Sequence, residues 1–377
     1  MTQNGTAAST RLRIGFLFGG RSSEHSISVI TAYGVLGVLD LERYDPVLIG
    51  ITREGDWHLS SVEELNTLRE GAELPDFEGR GPRVSLPLGR QGRGLILQQE
   101  DGTCTEGPVL DAVFPLLHGP YGEDGTLQGL LEMAGMPYVG SGVTSSAVGM
   151  DKHFMKVAFE AAGLRVGPYR VITDRNWRME REESLRGVRA LHLPVFVKPA
   201  RAGSSTGITR VDSWEEIETA IETARGFDPK VVIEEGIEGR EIECALLDGH
   251  RGQRPRASQP GEIEVVDGQH RFYDFEAKYV DAGSSQLQCP ARLPEQVNEA
   301  VRTQAVEAFL ALDCEGLARA DFFVTPEGEL IINEVNTLPG FTPISMYKMM
   351  WEASGVAYAQ LVEELITLAL ERPVGLR

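Results

Sequence analysis

Cysteine is scarce in this 377-residue chain: four residues, Cys104, Cys244, Cys289 and Cys314, none in a Cys-x-x-Cys pair or at zinc-ligand spacing. That excludes a disulfide-stapled scaffold and a cysteine zinc site, and the four are expected to be buried apolar residues in a reducing compartment. No run approaches ~18 apolar residues, so nothing is expected to span a membrane. Residues 1–10 are polar and lack the apolar stretch of a signal peptide, so a cytoplasmic location is expected. Positive charge is also short: 36 Lys and Arg against 56 Asp and Glu give a net charge of −20. Nucleic acid and anionic membrane surfaces would be repelled, and neither is an expected partner. An anionic substrate would need a locally basic or metal-bearing site.

What is present is ordinary globular material, 42% hydrophobic and 24% charged, so stable cores are expected over two or three domains. Leu12–Phe18 reads as a buried strand, followed by Gly19-Gly20-Arg21-Ser22-Ser23-Glu24 and a helix from about Ser26 to Leu39. Strands at Pro46–Ile51 and Asp111–Leu117 and a helix at Thr126–Ala134 continue the alternation. They predict a doubly wound parallel α/β domain over residues 1–142, with 53–108 as short hairpins or an insertion. A central unit, 143–234, carries a helix capped by Asp151 and stopped by Gly163, a charged helix at 176–191, and strands at Leu193–Lys198, Ile208–Val211 and Val231–Glu235. The last unit, 235–377, has a strand at Glu241–Leu247, a loop at Asp267–Gln288, a helix near 295–312, a hairpin at 317–336 and terminal helices. The expected fold class is α/β followed by α+β.

The hairpin carries the most chemistry. Leu317–Val324 and Glu329–Asn336 flank Thr325-Pro326-Glu327-Gly328, a turn signal. An even-numbered turn places Asp321 opposite Ile332 and Arg319 opposite Glu334, with Arg319, Asp321, Glu334 and Asn336 on one face. Two carboxylates and an amide oxygen together suit a hard cation such as Mg²⁺. The same pattern also fits a polar hairpin face closed by an Arg–Glu pair. A second candidate is Lys198 at a strand end before Pro-Ala-Arg-Ala-Gly-Ser-Ser-Thr-Gly (199–207), small residues that let backbone N–H groups approach a phosphate. It is neither a P-loop nor a kinase glycine loop. A third is Val231–Ile237 with Glu241, an apolar strand edge for an adenine and a carboxylate for ribose hydroxyls.

In order along the chain, Gly-Gly-Arg-Ser-Ser-Glu-His (19–25), Leu-His-Gly-Pro-Tyr-Gly-Glu-Asp-Gly (117–125), Pro-Tyr-Val-Gly-Ser-Gly (137–142), Met-Asp-Lys (150–152), Val-Lys-Pro-Ala-Arg-Ala-Gly-Ser-Ser (197–205), Glu-Gly-Arg-Glu-Ile-Glu (238–243), Phe-Tyr-Asp-Phe-Glu-Ala-Lys-Tyr (272–279) and Asn-Glu-Val-Asn-Thr-Leu-Pro-Gly (333–340) resemble the D-alanine–D-alanine ligases of the ATP-grasp superfamily. The resemblance runs from about Arg13 to Ala359. It implies an ATP-grasp fold behind the N-terminal α/β domain, and ATP-dependent joining of two D-alanine molecules through a D-alanyl phosphate, for peptidoglycan precursors.

Roles follow by position. Lys152 and Lys198 would contact ATP phosphates, with Ser205 and Phe272 also at the nucleotide. Glu234, Glu235 and Ile237 would line the adenine pocket and Glu241 would hold the ribose. Lys278 would reach the γ-phosphate from a lid near 267–288. Asp321, Glu334 and Asn336 would hold two Mg²⁺ ions, which Mn²⁺ could replace. Glu24, helped by His118, would anchor the first D-alanine, and Ser204 and Tyr279 would join Glu24 in closing the lid. Arg319 and the Gly340 N–H would stabilise the oxyanion. Ser345 and the Met346 backbone would bind the second carboxylate. Relatives imply a homodimer.

Glu235 departs from relatives that carry lysine there. A tyrosine at 279 goes with an amine rather than a hydroxy acid as second substrate. The alternatives are a D-alanine–D-lactate ligase or another ATP-grasp carboxylate–amine ligase. A Rossmann-type module is disfavoured because Gly-x-Gly-x-x-Gly is absent.

Overall fold

The computed structural model describes residues 11–71, 74–89, 94–265, 285–342 and 344–373. Two compact units result. Among the described residues, the first comprises those up to Leu117, Gly129–Val139 and those from Tyr358 onward; the second comprises His118–Gln128 and those from Gly140 to Ala357.

The first unit is built on a seven-stranded sheet: β1 (Leu12–Gly19), β2 (Tyr44–Ile51), β3 (Trp57–Ser60), β4 (Arg83–Ser85), β5 (Gly94–Gln98), β6 (Cys104–Val109) and β7 (Ala112–Pro115), in the order β6-β5-β4-β3-β2-β1-β7. The expected parallel pairing holds for β2, β1 and β7. Here β1 is buried on both faces, as its unbroken apolar run requires. Residues 53–108 supply the antiparallel strands β3–β6, together with a helix, Val62–Gly71.

This added segment is locked onto the Gly19-Gly20 loop. Phe77 packs against Phe18 and occupies the space a Cβ on Gly50 would need, 2.2 Å away. Its N–H donates to Nε2 of the buried His25 at 3.0 Å, and His25 Nδ1 lies 2.9 Å from the Gly20 carbonyl. Burial lowers the His25 pKa, and the Asp76 carboxylate, 3.0 Å from Nε2, opposes that shift. Gly19, at φ 87°, could not be replaced: a Cβ there would sit 2.3 Å from the Ile51 carbonyl.

The second unit holds two antiparallel sheets. One contains β8 (Tyr169–Ile172), β9 (Val195–Pro199), β10 (Thr209–Val211) and β11 (Val231–Glu235), in the order β10-β9-β11-β8. Val195, Val197, Val231 and Ile233 point into a core shared with the helix Ile217–Arg225, which leaves Lys198 and Glu234 on the opposite face. The other contains β12 (Arg240–Leu247), β13 (Arg256–Ala257), β14 (Gly261–Val265), β15 (Ser285–Gln288), β16 (Leu317–Val324) and β17 (Leu330–Asn336), in the order β15-β14-β12-β16-β17, with β13 beside β12. Ser285–Gln288, expected as loop, is a strand paired with β14. The charged segment 176–191 is broken at Glu180 into the helices Asp174–Met179 and Arg181–Val188.

Ile242, Cys244, Ala318, Ala320, Phe322 and Val335 line one face of this sheet, under the helices Glu295–Ala311 and Lys152–Ala161. Two cysteine expectations fail: Cys104 is exposed and Cys289 only partly buried, while Cys244 and Cys314 are buried, and all four are free thiols. Among the described residues, no single helix is long and apolar enough to cross a membrane.

Candidate functional site

Three strands of the second sheet put their polar side chains on one face. Across the ladder, Glu243 on β12 lies beside Asp321 on β16, which lies beside Glu334 on β17; Arg319 lies beside Asn336. Glu241, two residues before Glu243, shares the face. The expected co-facial set is therefore present, but its register differs. Asp321 faces Glu334, not Ile332, and Arg319 faces Asn336, not Glu334: the pairing of Val324 with Leu330 makes the turn odd-numbered rather than even, which shifts the register by one residue, and a bulge between Asp321 and Phe322 shifts it by a second.

Arg319 grips Asp321 with two bonds of 2.7 Å, Nε to one carboxylate oxygen and Nη2 to the other, and its Nε also lies 3.1 Å from Glu243. Burial opposes the charge on Arg319, but Asp321, Glu243 and Glu334 outweigh it, so the guanidinium stays protonated. Asn336 uses Oδ1 to accept from the Leu338 N–H at 3.0 Å. Asp321, Glu334 and Asn336 present only oxygen donors in side-chain position, the donor set Mg²⁺ or Mn²⁺ prefers. Among the described residues no group of three or more His, Cys, Asp or Glu side chains is placed to hold a metal ion.

The lysines come from two elements. Asp151 caps the helix Lys152–Ala161, accepting from the His153 and Phe154 N–H groups. That helix carries Lys152 and, one turn later, Lys156 on the same side. Lys198 comes from β9. Its Nζ lies 2.6 Å from one oxygen of Glu234, and Lys156 Nζ lies 3.1 Å from the other. Burial alone would raise the Glu234 pKa; the two ammonium groups reverse this and bring it down to about 2. Lys198 is shifted upward: burial works against its charge and Glu234 more than compensates. Lys152 is shifted downward by burial, with Glu334 and Glu234 opposing and Lys198 and Lys156 reinforcing. Its Nζ donates to the Ala202 carbonyl at 2.9 Å.

The glycine-serine loop is braced at its start. Asp228, 3% exposed, accepts from the Arg201 backbone N–H at 2.9 Å and from the Arg201 Nε and Nη2 at 2.9 and 2.7 Å. Ser204 and Ser205 then adopt φ of 49° and 56°, a conformation that serine reaches only when its surroundings impose it. Asp228→Asn should release this brace. The expected outcome is a KM for ATP raised about tenfold, with a smaller change in kcat, measured by phosphate release.

The remaining expected residues divide as follows. Glu235 turns to His192, accepting from its N–H at 2.8 Å and lying 2.9 Å from its Nδ1. Ile237 packs over Gly167. Ser345 sits at the N-cap of the helix Met346–Ala353 without a side-chain capping bond; its Oγ lies 2.9 Å from Thr342 Oγ1 and near Gly340. Met346 packs on Gly261. His118 is buried in the second unit. Glu24 lies in the first unit, buried at the N-cap of the helix His25–Leu36, and its side chain makes no capping bond. Phe272, Lys278 and Tyr279 lie outside the described residues, as does most of the expected lid. Sequence reading missed Lys156 and Glu243. Both had a signal: Lys156 is four residues beyond Lys152 in one helix, and Glu243 is two beyond Glu241 in one strand.

The D-ala D-ala ligase N-terminus family model matches residues 13–141, and the D-ala D-ala ligase C-terminus model matches residues 158–367. A D-alanine–D-alanine ligase of Kocuria rhizophila is 56% identical over 379 aligned residues, covering 100% of this chain and 98% of the relative. The structure of the D-alanine–D-alanine ligase from Coxiella burnetii superposes with a TM-score of 0.79 at 34% identity, over 96% of this chain and 94% of that one. The VanG D-Ala:D-Ser ligase from Enterococcus faecalis gives 0.81 at 35% identity, over 96% and 100%. The β12–β17 carboxylate face, the lysine cluster and these full-length matches agree: the chain belongs to the D-alanine–D-alanine ligase family, enzymes of the ATP-grasp fold.

Proposed function

We propose that this ligase joins two D-alanine molecules into D-alanyl-D-alanine at the expense of ATP, through D-alanyl phosphate, and so supplies a peptidoglycan precursor. The observation that carries the reading is the presence in one unit of a buried lysine pair, Lys156 and Lys198 on Glu234, and an oxygen-donor row, Asp321, Glu334 and Asn336. A phosphate chain needs the lysines, and its counter-cation needs the oxygens.

A free carboxylate has no usable leaving group. Attack of one carboxylate oxygen of D-alanine on the γ-phosphorus forms the acyl phosphate and releases ADP. The neutral amine of the second D-alanine then attacks the acyl carbon, and inorganic phosphate leaves from the tetrahedral oxyanion. Lys152 and Lys198 would hold the phosphate chain in line and spread its charge, with the loop at Ser204 and Ser205 supplying backbone N–H donors. Asp321, Glu334 and Asn336 would hold two Mg²⁺ ions, or Mn²⁺; a bound divalent ion neutralises phosphate charge. Arg319 and the Gly340 N–H would donate to the oxyanion. Glu24 and His118 would anchor the first ammonium, and Ser345 with the Met346 N–H the second carboxylate. Glu235, Ile237, Glu241 and Phe272 would surround the nucleoside. Lys278 and Tyr279 would act from a lid at 267–288 that excludes water from the acyl phosphate. We also assign a homodimer and a cytoplasmic location.

The deciding experiment is mass spectrometry of the products from ATP, Mg²⁺ and D-alanine, repeated with D-lactate or D-serine added. D-alanyl-D-alanine should dominate in every mixture. No product from D-alanine alone would end the reading. A dominant D-alanyl-D-serine, the acceptor in VanG's name, would move the chain to that specificity. Tyr279→Phe should admit measurable D-alanyl-D-lactate, and an unchanged product ratio would remove Tyr279 from the specificity argument.

A further inference from the structure

The helix Glu295–Ala311 covers the apolar side of the β12–β17 sheet. Beside it, within the second unit, lies a cavity of about 630 Å³ that shares no residue with the proposed nucleotide and metal positions. Arg254 and Arg256 border it from one side, Glu299, Arg302 and Val306 from the helix, and Trp351, Ser354 and Val356 from another. Three guanidinium groups on one cavity stand out in a chain of net charge −20.

Two bordering residues each carry a buried donor, covered from solvent, without a described acceptor. Arg302 gives Nη1 to Glu299 at 3.0 Å and Nη2 to the Ala257 carbonyl at 3.3 Å, but its Nε is buried and meets no acceptor among the described residues. Trp351 is 3% exposed, and its indole N–H likewise has no described acceptor. The Arg256 guanidinium stacks over the Trp351 ring, 5.7 Å from its centroid. Buried donors rarely stay unpaired in folded proteins, because desolvation goes uncompensated. The walls are themselves fixed: Ser354 Oγ accepts from the Gln259 N–H at 2.7 Å, and Asn298 donates to the Gln259 side chain at 3.1 Å.

We propose that this cavity is a second ligand site, for a small metabolite carrying oxyanion groups, phosphate or carboxylate, on a short carbon skeleton. Arginine forks match such oxyanions, and Val306 and Val356 receive the carbon portion. The occupant would touch the helix Met346–Ala353 at Trp351, away from the end that carries Met346.

Calorimetric titration of the full chain tests this, with the nucleotide site first saturated by ADP and Mg²⁺ so that the lysines are already engaged. Inorganic pyrophosphate and citrate are the two probes. At least one should bind saturably at one site per chain, and the stronger of the two identifies phosphate or carboxylate as the group recognised. Arg302→Gln and Arg254→Gln should each weaken binding about tenfold. The second change lies on an exposed loop and should leave basal ligase activity intact. Tryptophan emission should respond to the probe in the parent chain and not in Trp351→Phe. Binding of neither probe, or equal affinity in parent and both arginine variants, overturns the proposal.

Discussion

Glu334→Gln is expected to lower kcat by about 10²–10³-fold or more while leaving the folded structure intact. Glu334 stands beside Asp321 in the carboxylate row and acts electrostatically on Lys152 and Lys198. An amide of the same shape keeps the packing but removes the anion, so the proposed cation site would lose a ligand and the lysines a counter-charge. Turnover by phosphate release and thermal melting of the same preparation check this together. Unchanged turnover would contradict the metal assignment; a collapsed melting temperature would make Glu334 a structural residue instead.

The second large effect concerns Glu234, which touches both Lys156 and Lys198 and is 7% exposed. Its folded pKa of about 2 lies below the ordinary 4.5, a difference worth roughly 3 kcal/mol at about 1.4 kcal/mol per unit. The depressed value sets the sign. The stabilisation is complete above the ordinary carboxyl pKa and disappears as pH falls through the folded one, so the loss falls between about pH 4.5 and pH 2. Glu234→Gln strands two buried ammonium groups and should cost about 3–5 kcal/mol at neutral pH. It should also raise the KM for ATP, because Lys198 is no longer held. Urea unfolding at several pH values gives the measurement. The parent should lose stability in acid more steeply than the variant, and parallel profiles would show that Glu234 is not the titrating group. Lys156→Met should reproduce part of both effects, since it removes one of the two cations that keep Glu234 ionised.

Several site features could be read directly from the chain. Lys198 stands at the end of an apolar strand, and the alternation of side chains along a strand puts it opposite Val195 and Val197 without any tertiary information. The Asp151 cap and the helix after it follow from local chemistry alone. Arg319 and Asp321 share a face because they are two residues apart on one strand. Their partnership with Glu334 and Asn336 was a matter of register, and there local rules were insufficient. The ladder from Val324 and Leu330 to Phe322 and Ile332, continued regularly, would set Asp321 opposite Asn333 and send Glu334 and Asn336 to the apolar face. One bulged residue shifts the count and returns both to the polar face.

By itself, then, the sequence determined the strands that carry Lys198, Arg319 and Asp321, the Asp151 cap, the family and the residue types that chemistry requires. The tertiary structure decided what those residues meet. It made Glu234 a counter-ion for two lysines from different elements, tied Asp228 to Arg201, gave Arg319 a second carboxylate in Glu243, and turned residues 53–108 into sheet strands pinned through His25 and Phe77. Such pairings join positions dozens of residues apart. Their energies come from burial and desolvation, which exist only once the chain has closed around them.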